Sequence, residues 1–118
     1  MSDNFISMPD NLFTKYFMAY TTAANQKEAD KITRALLESR LAACVQQTPI
    51  NSQYWWKGKI EKSSEILLAI KTMWRPFRFT KIKKLIKENH SYEVPQIIAI
   101  PIIAGSKDYL GWIKEETK

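Results

Sequence analysis

The sequence predicts a small α+β domain, and three observations support that prediction. The chain has 118 residues, of which 45% are apolar and 25% are charged, which is ordinary for one globular domain. Apolar residues recur at strand or helix spacing in the order strand, helix, strand, strand, helix, strand, helix. The segment 56–59, Trp-Lys-Gly-Lys, supplies a tight turn between two long strand patterns, because glycine accepts a positive φ at little steric cost.

The first half of the chain contains a strand, a helix and the start of the hairpin. Residues 15–22 are rich in aromatic and β-favouring side chains, which predicts the first strand. Asn25 is placed as the N-cap of the first helix, with Glu28 positioned to reach back to the Asn25 amide. The apolar run 41–45 predicts a buried strand, and Pro49 predicts a bulge or an edge position after it.

The second half of the chain contains the return strand, a helix, a strand and a closing helix. The return strand ends in the apolar run 66–70, and the polar stretch 61–65 before it suggests a second bulge. Pro76 is well placed as the first residue of the second helix. Residues 94–103 predict a last strand whose two prolines favour an edge position, and residues 109–113 predict a short helix.

The order of elements is that of a ferredoxin-like split-βαβ sandwich with an extended β-hairpin, in which two helices cover one sheet face. We assign residues 15–118 to this domain and residues 1–14 to a flexible N-terminal extension. Residues 66–70 and 97–103 are apolar on both alternating faces, and such strands should be covered on both faces. Since two helices cannot cover both faces, we predict that copies of the chain associate through the sheet.

Composition limits the classes of function. No apolar run approaches the roughly 18–20 residues that a membrane-spanning helix requires, and the N-terminus does not resemble a signal peptide. The single cysteine, Cys44, excludes an intrachain disulfide and fits a reducing compartment, the cytoplasm. The net charge of +6 could attract nucleic acid, but we attribute it to solvated surface lysines, so neither nucleic acid nor a membrane is an expected partner.

No catalytic arrangement stands out in the sequence. The chain has one histidine and one cysteine, and its three glycines do not form a phosphate-binding loop. Cys44 lies in the predicted buried strand, where a thiol usually acts as a small, inert apolar side chain. We therefore predict that the protein is not an enzyme.

The densest polar cluster, residues 90–95, contains His90, Tyr92 and Glu93. One interpretation is a ligand site at a helix-to-strand junction, where imidazole, phenol and carboxylate converge. The other is a helix C-terminus with structural hydrogen bonds, at which the helix dipole favours the cationic form of His90. The spacing alone favours the structural interpretation.

Three aromatic residues, Tyr54, Trp55 and Trp56, precede the hairpin turn. With Lys57 and Lys59 beside them, they could stack on nucleic-acid bases. They lack the alternating signature of an RNA-recognition strand, and an aromatic cluster on a hairpin is more typical of an interface anchor. We therefore predict that they contact other copies of the chain.

Six stretches, in register from about residue 16 to residue 114, match one set of family motifs. Residues 41–45 match the strand Leu-Ala-Ala-Cys-Val, residues 52–61 the hairpin Ser-x-Tyr-x-Trp-x-Gly-x-Ile-Glu, and residues 90–95 resemble His-Pro-Tyr-Glu-x-Pro. The remaining matches are residues 22–25, 65–72 and 109–113. Together these stretches resemble the CutA family of divalent-cation tolerance proteins.

The resemblance implies a cytoplasmic homotrimer in which the sheets face one another and the hairpin arms reach across subunits. It also implies a role in tolerance of divalent metals, with copper foremost. Our leading hypothesis is that a metal ion or small ligand binds near His90 in the crevices between subunits, which Lys71, Thr72, Tyr92 and Glu93 would line. The alternative is a regulatory module like the PII signalling proteins, which binds an anionic small molecule or a partner protein. A third hypothesis is a nucleic-acid binder that uses the face formed by residues 81–87.

The copper role that the resemblance implies has few donors in this chain. Some members associate copper with a cysteine and two successive histidines, at positions that here hold Thr21, Asn89 and His90. Of these only His90 is a strong donor, so Glu93 and Cys44 are the other candidate metal ligands. One histidine alone makes a weak site, so copper should require Glu93 or a second subunit.

Overall fold

The computed structural model describes residues 15–118, which form a four-stranded sheet and three helices. The predicted N-terminal extension, residues 1–14, lies outside the described residues. The elements in chain order are β1 (Tyr16–Ala23), α1 (Gln26–Glu38), β2 (Cys44–Trp56), β3 (Lys59–Met73), α2 (Arg78–Glu88), β4 (Ile98–Ile102) and α3 (Lys107–Glu116). The strands lie in the order β2-β3-β1-β4, and every neighbouring pair is antiparallel. The predicted split-βαβ sandwich is therefore confirmed.

Helices α1 and α2 pack against one face of the sheet and form the hydrophobic core with it. The strand side chains on this face alternate with outward-facing ones, and each core helix presents apolar residues three or four positions apart. The fully buried core residues are Phe17, Ala19, Ala23, Ala29, Ile32, Leu36, Leu68, Ile70, Ile82 and Ile86. Burial of these side chains supplies the main driving force for folding one chain.

The opposite face of the sheet, which we call the open face, keeps a row of apolar side chains half exposed. The register of β1 and β4 places Met18 beside Ile100 and Tyr20 beside Ile98 on this face. Ile98 and Ile100 are 46% and 44% exposed, although they lie within a strand. The predicted two-faced apolar pattern is confirmed, and the association of copies that it implies remains a prediction at this point.

The hairpin of β2 and β3 is regular along its whole length. One-to-one pairing runs without interruption from Cys44 and Lys71 to Trp56 and Lys59, so the predicted second bulge is wrong. The polar stretch 61–65 belongs largely to the part of the hairpin that extends beyond the rest of the sheet, which explains its polarity by exposure. Pro49 was predicted to lie at a bulge or in an edge strand, and it lies in the edge strand β2.

The turns of the chain shift several predicted boundaries. Lys57 and Gly58 have φ values of 50° and 83°, as a tight two-residue hairpin turn requires. Arg40, with φ of 61°, ends α1 in a turn, so β2 begins at Cys44 rather than at residue 41. Helix α2 begins two residues after Pro76, and β4 is shorter than the predicted strand. Within residues 15–118, no helix is long and apolar enough to cross a membrane.

Candidate functional site

A polar junction forms where the end of α2, the start of α1 and the middle of β3 meet. It consists of Glu28, Glu65, His90, Ser91 and Tyr92, and we refer to it as the polar junction. Three segments that are distant in the sequence meet there, because β1 ends at Ala23 and leaves β3 free to contact the segment after α2. Two of the sequence-predicted site residues, His90 and Tyr92, therefore do come together.

His90 is held from both sides of its ring. Its side chain is fully buried. Nδ1 accepts a hydrogen bond from the Tyr92 amide at 3.1 Å, and Nε2 lies at hydrogen-bonding distance from the carbonyl oxygen of Thr22. Since an amide donates and a carbonyl accepts, the proton lies on Nε2 and the imidazole is neutral in this arrangement. His90 therefore has a structural role, and no free nitrogen faces solvent.

Glu28 accepts hydrogen bonds from two separate backbone segments. Its Oε1 accepts from the Ala24 amide at 2.9 Å, and its Oε2 accepts from the Ser91 amide at 2.8 Å. Burial alone would raise the pKa of Glu28, but the hydrogen bonds from Ala24 and Ser91 outweigh it and lower the pKa below its ordinary value. The Asn25 side chain caps α1 as predicted, whereas the Glu28 carboxylate reaches Ala24 rather than the predicted Asn25 amide.

Tyr92 and Glu65 form the third contact of the polar junction. The Tyr92 hydroxyl donates a hydrogen bond of 2.7 Å to Oε2 of Glu65, whose residue is only 7% exposed. Burial and the negative charge of Glu65 raise the pKa of the Tyr92 phenol well above its ordinary range. The phenol therefore keeps its proton at neutral pH and remains a donor to the carboxylate.

The copper donors that the resemblance implies do not fit a site within one chain. Thr21 is fully buried, and its hydroxyl makes no hydrogen bond within residues 15–118. The Asn89 side chain donates to the Leu85 carbonyl of its own helix at 2.8 Å, and both nitrogens of His90 are engaged. The described part of the chain gathers no group of three or more His, Cys, Asp or Glu side chains suited to a metal ion.

The other two candidate ligands, Cys44 and Glu93, do not form a metal-binding group with His90 within residues 15–118. Cys44 is the first residue of β2, pairs with Lys71 and is half-buried rather than fully buried as predicted. It escapes burial because it lies in an edge strand and on the open face, whereas the prediction placed it in the middle of a buried apolar strand. Glu93 is exposed in the loop before β4. One chain therefore does not bring His90, Glu93 and Cys44 together as a metal site.

The predicted crevice residues are also dispersed within one chain. Lys71 and Thr72 are successive residues of β3, so their side chains point to opposite faces of the sheet. Thr72 is fully buried and accepts a hydrogen bond of 2.7 Å from Arg78. The Lys71 amine lies on the open face, 3.1 Å from the Tyr109 hydroxyl. Tyr92 contacts Glu65, which lies six residues, or about 20 Å, along β3 from Lys71. A crevice lined by Lys71 and Tyr92 would therefore have to include more than one copy.

The hairpin aromatics are likewise divided between two faces. The register places Tyr54 and Trp56 on the same side as the open face and Trp55 on the other side. Tyr54 bonds to Ser63 through its hydroxyl at 2.7 Å, and Trp55 is 72% exposed. A single partner that covers the open face can therefore contact Tyr54 and Trp56, but not Trp55, from that side.

Sequence reasoning missed two functional contacts. It assigned Glu65 to a motif without a role, and it did not single out Arg78, whose guanidinium bonds to Thr72 and to the Thr117 carbonyl at 2.7 Å. Burial and the nearby Arg75 lower the pKa of Arg78 below its ordinary value. The burial of Arg78 could have been predicted from its spacing, because it lies at the start of α2 on the same helix face as Ile82 and Ile86.

Comparison with known proteins gives a consistent result for this fold. The family model for the CutA1 divalent ion tolerance protein matches residues 17–116. The divalent-cation tolerance protein CutA of Archaeoglobus fulgidus is 46% identical over 81% of this chain and 92% of its own length. The chloroplastic protein CutA 1 of Oryza sativa is 38% identical over 86% of this chain, which spans only 56% of that relative.

Solved structures give the same answer for the three-dimensional fold. A structure of the periplasmic divalent cation tolerance protein CutA from Archaeoglobus fulgidus has a TM-score of 0.82 at 43% identity. That alignment covers 87% of this chain and 99% of the other chain. The CutA1 structure from Thermus thermophilus has a TM-score of 0.81 at 38% identity, with coverage of 87% and 99%.

Proposed function

The chain belongs to the CutA family of divalent-cation tolerance proteins, and from that premise we propose that it is a homotrimer that responds to divalent metal ions. Its ligand, a metal ion or a small molecule, binds in the crevices between copies, and the protein is not a catalyst. We place it in the cytoplasm, because its only cysteine, Cys44, suits a reducing compartment. The half-exposed apolar row on the open face is the observation that carries the proposal.

The open face supports association because burying it removes apolar surface from water. Ile98 and Ile100 expose nearly half of their surface, and Met18 and Tyr20 beside them are only partly buried. A monomer would leave this row exposed, which soluble monomers usually avoid over a contiguous area. The edge strand β4 lies at the margin of this face, so a second copy can cover the row and approach an exposed sheet edge.

The metal response is assigned to the assembled protein rather than to one chain. Copper is the metal that the resemblance implies, and residues 15–118 of one chain do not gather three or more of the usual donor side chains for it. A site between copies could combine side chains that are separate in the monomer, such as Cys44 and Glu93 of different subunits. Thiolate and carboxylate ligands differ in the metals they favour, so the identity of the ion follows from which donors meet.

The alternative function is a PII-like regulatory module, and Lys71 is the observation that favours it. Its amine is held by the hydroxyl of Tyr109 and lies 5.2 Å from the centre of that ring. No carboxylate within residues 15–118 forms an ion pair with Lys71. A cation of this kind at the edge of a subunit interface would suit an anionic small molecule or an acidic group of a partner protein.

Calorimetric titration with Cu(II) and with Zn(II) tests the proposed location of the ligand. The key variant is Ile100→Lys, which places a charge in the apolar row of the open face, and the control is Leu37→Lys on α1, where the side chain is 39% exposed. We expect metal binding in the wild type and in Leu37→Lys, and its loss in Ile100→Lys. We expect His90→Gln to bind as the wild type does. Unchanged binding by a monomeric Ile100→Lys protein would place the site within one chain and refute the proposal.

A further inference from the structure

The net charge of the chain is concentrated in one segment. Residues 75–88, which comprise α2 and the three residues before it, contain six basic residues and one acidic residue, a net charge of +5. The other 104 residues contain 12 basic and 11 acidic residues, a net charge of +1. Charge that serves only solubility is usually dispersed, with both signs interspersed. Nearly all of the net positive charge of the chain therefore lies in residues 75–88, and this concentration points to a specific role for that segment.

Four of these cations are exposed and unpaired. Arg75, Lys81, Lys84 and Lys87 are exposed, and none of their side chains forms an ion pair or hydrogen bond within residues 15–118. We call these four residues the basic face. The other two cations of the segment are engaged, since Arg78 bonds to Thr72 and Thr117, and the Lys83 amine lies 5.0 Å from the centre of the Phe79 ring.

An aromatic side chain projects beside the basic face. Phe77 is 76% exposed, and no ring or cation lies against it within residues 15–118. Its backbone is left-handed, with φ of 64° and ψ of 7°, a conformation that bulky residues rarely adopt. Phe77 is the N-cap of α2, and Lys81 and Lys84 lie in the first two turns of the helix that follows it. An exposed aromatic ring, that of Phe77, therefore lies at the N-terminal end of α2, the helix that carries most of the basic face.

The side chains of this surface suit single-stranded nucleic acid better than an anionic membrane. A helix that lies on a membrane needs a broad apolar face, but the apolar residues of α2, Ile82 and Ile86 among them, face the core. Only Phe77 would enter the lipid. Single-stranded nucleic acid offers both partners, because phosphates pair with lysines and every base can stack on an aromatic ring.

We propose that the basic face and Phe77 bind single-stranded nucleic acid. Arg75, Lys81, Lys84 and Lys87 pair with successive phosphates, and the Phe77 ring stacks on one base. The contact reads no sequence, because neither phosphate pairing nor stacking distinguishes the bases. It uses the outer face of the helix layer, opposite the open face, so trimer formation leaves it accessible. The inference does not depend on metal binding.

Fluorescence anisotropy with a labelled oligothymidine tests the proposal on the full chain. For about four phosphate contacts, the logarithm of the binding constant should fall with the logarithm of salt concentration at a slope of about −3. The triple variant Lys81→Gln, Lys84→Gln, Lys87→Gln should reduce that slope by about 2. The matched control is Lys57→Gln, Lys59→Gln, Lys62→Gln on the hairpin, which removes the same charge and should bind almost as the wild type does.

The variant Phe77→Ala separates stacking from charge. It should weaken binding roughly 5- to 150-fold and leave the salt slope unchanged, because one stacked base is lost and no phosphate contact changes. Thermal melting of each variant confirms that it folds, and each variant is compared with the wild type at equal salt.

Three outcomes would overturn the proposal. The first is a wild type that does not bind the oligothymidine at low salt. The second is equal weakening by both triple variants, which would show that only the net charge matters. The third is binding to phosphatidylserine vesicles, sensitive to Phe77→Ala, without binding to the oligonucleotide, which would assign the surface to a membrane instead.

Discussion

The polar junction and the open face differ in whether their side chains find partners within one chain. At the polar junction, Glu28, His90 and Tyr92 satisfy one another and the backbone within one chain. On the open face, Ile98 and Ile100 remain half exposed in an otherwise well-packed fold. A dense cluster of polar residues can therefore have all its hydrogen bonds satisfied within one chain, whereas an apolar strand can be the element that needs a second molecule to cover it.

The largest expected effect is on assembly. A lysine at position 100 would be buried without a partner in any complex that covers the open face, so Ile100→Lys should dissociate the trimer. The mass measured by light scattering should fall from three times the 13.8 kDa of the chain to that of a single chain. Leu37→Lys, on the opposite side of the molecule, should remain trimeric. A trimeric Ile100→Lys protein would show that the open face is not the interface.

The next largest effect concerns Glu28. Glu28→Gln keeps only one good acceptor for two backbone amides and removes the charge, so it should lower the free energy of unfolding by about 2–3 kcal/mol. Urea denaturation at neutral pH measures this loss. The control is Glu38→Gln, whose side chain forms only an exposed ion pair with Arg34 and should cost less than about 0.5 kcal/mol.

The same carboxylate gives a pH dependence with a definite sign. Because the pKa of Glu28 is lower in the folded state, the unfolded chain takes up the proton first as the solution is acidified. The stability that Glu28 contributes is complete above its ordinary pKa of 4.5 and is lost as the pH falls through the lower, folded value. Glu28→Gln should therefore lose less stability than the wild type on acidification, and a parallel loss would contradict the assignment.

A smaller effect is expected for the phenol of Tyr92. Tyr92→Phe leaves the buried carboxylate of Glu65 without this donor and should cost about 1–3 kcal/mol in unfolding free energy. Ser64→Ala is the control, since its hydroxyl donates to Asn51 on the exposed hairpin and its loss should be nearly neutral. Equal losses in both variants would mean that burial of Glu65 does not strengthen its contact.

The smallest effect distinguishes the two faces of the hairpin. Trp56→Ser should raise the dissociation constant of the trimer about 10-fold or more, because a buried interfacial tryptophan is a typical anchor. Trp55→Ser should change it less than about twofold, since that ring points away from the open face. Sedimentation at several concentrations compares the two. A larger effect of Trp55→Ser would show that the partner approaches the hairpin from the other side.

Local patterns predicted the fold well because its elements follow simple rules. Alternation of apolar residues, the Asn25 cap and the Gly58 turn placed the strands and helices within a few residues. The candidate site was harder, because its contacts join residues far apart in the sequence. Nothing local indicates that Glu28 accepts from Ser91, or that β1 ends early enough for Tyr92 to reach Glu65.

The position of His90 illustrates the same limit. Its place after a helix predicted either a ligand or a helix end with structural hydrogen bonds, and the structural interpretation was favoured. Neither interpretation identified the Thr22 carbonyl and the Tyr92 amide as the groups that engage the two ring nitrogens. That arrangement depends on how β1 lies against the end of α2, which only the folded chain determines.

In the proposed trimer, two further copies of the chain cover the open face of each subunit. Sedimentation equilibrium of the wild-type protein at micromolar concentration tests it most directly. We expect a single species with three times the 13.8 kDa mass of the chain. A monomer at that concentration, stable and folded with its apolar row exposed, would contradict it.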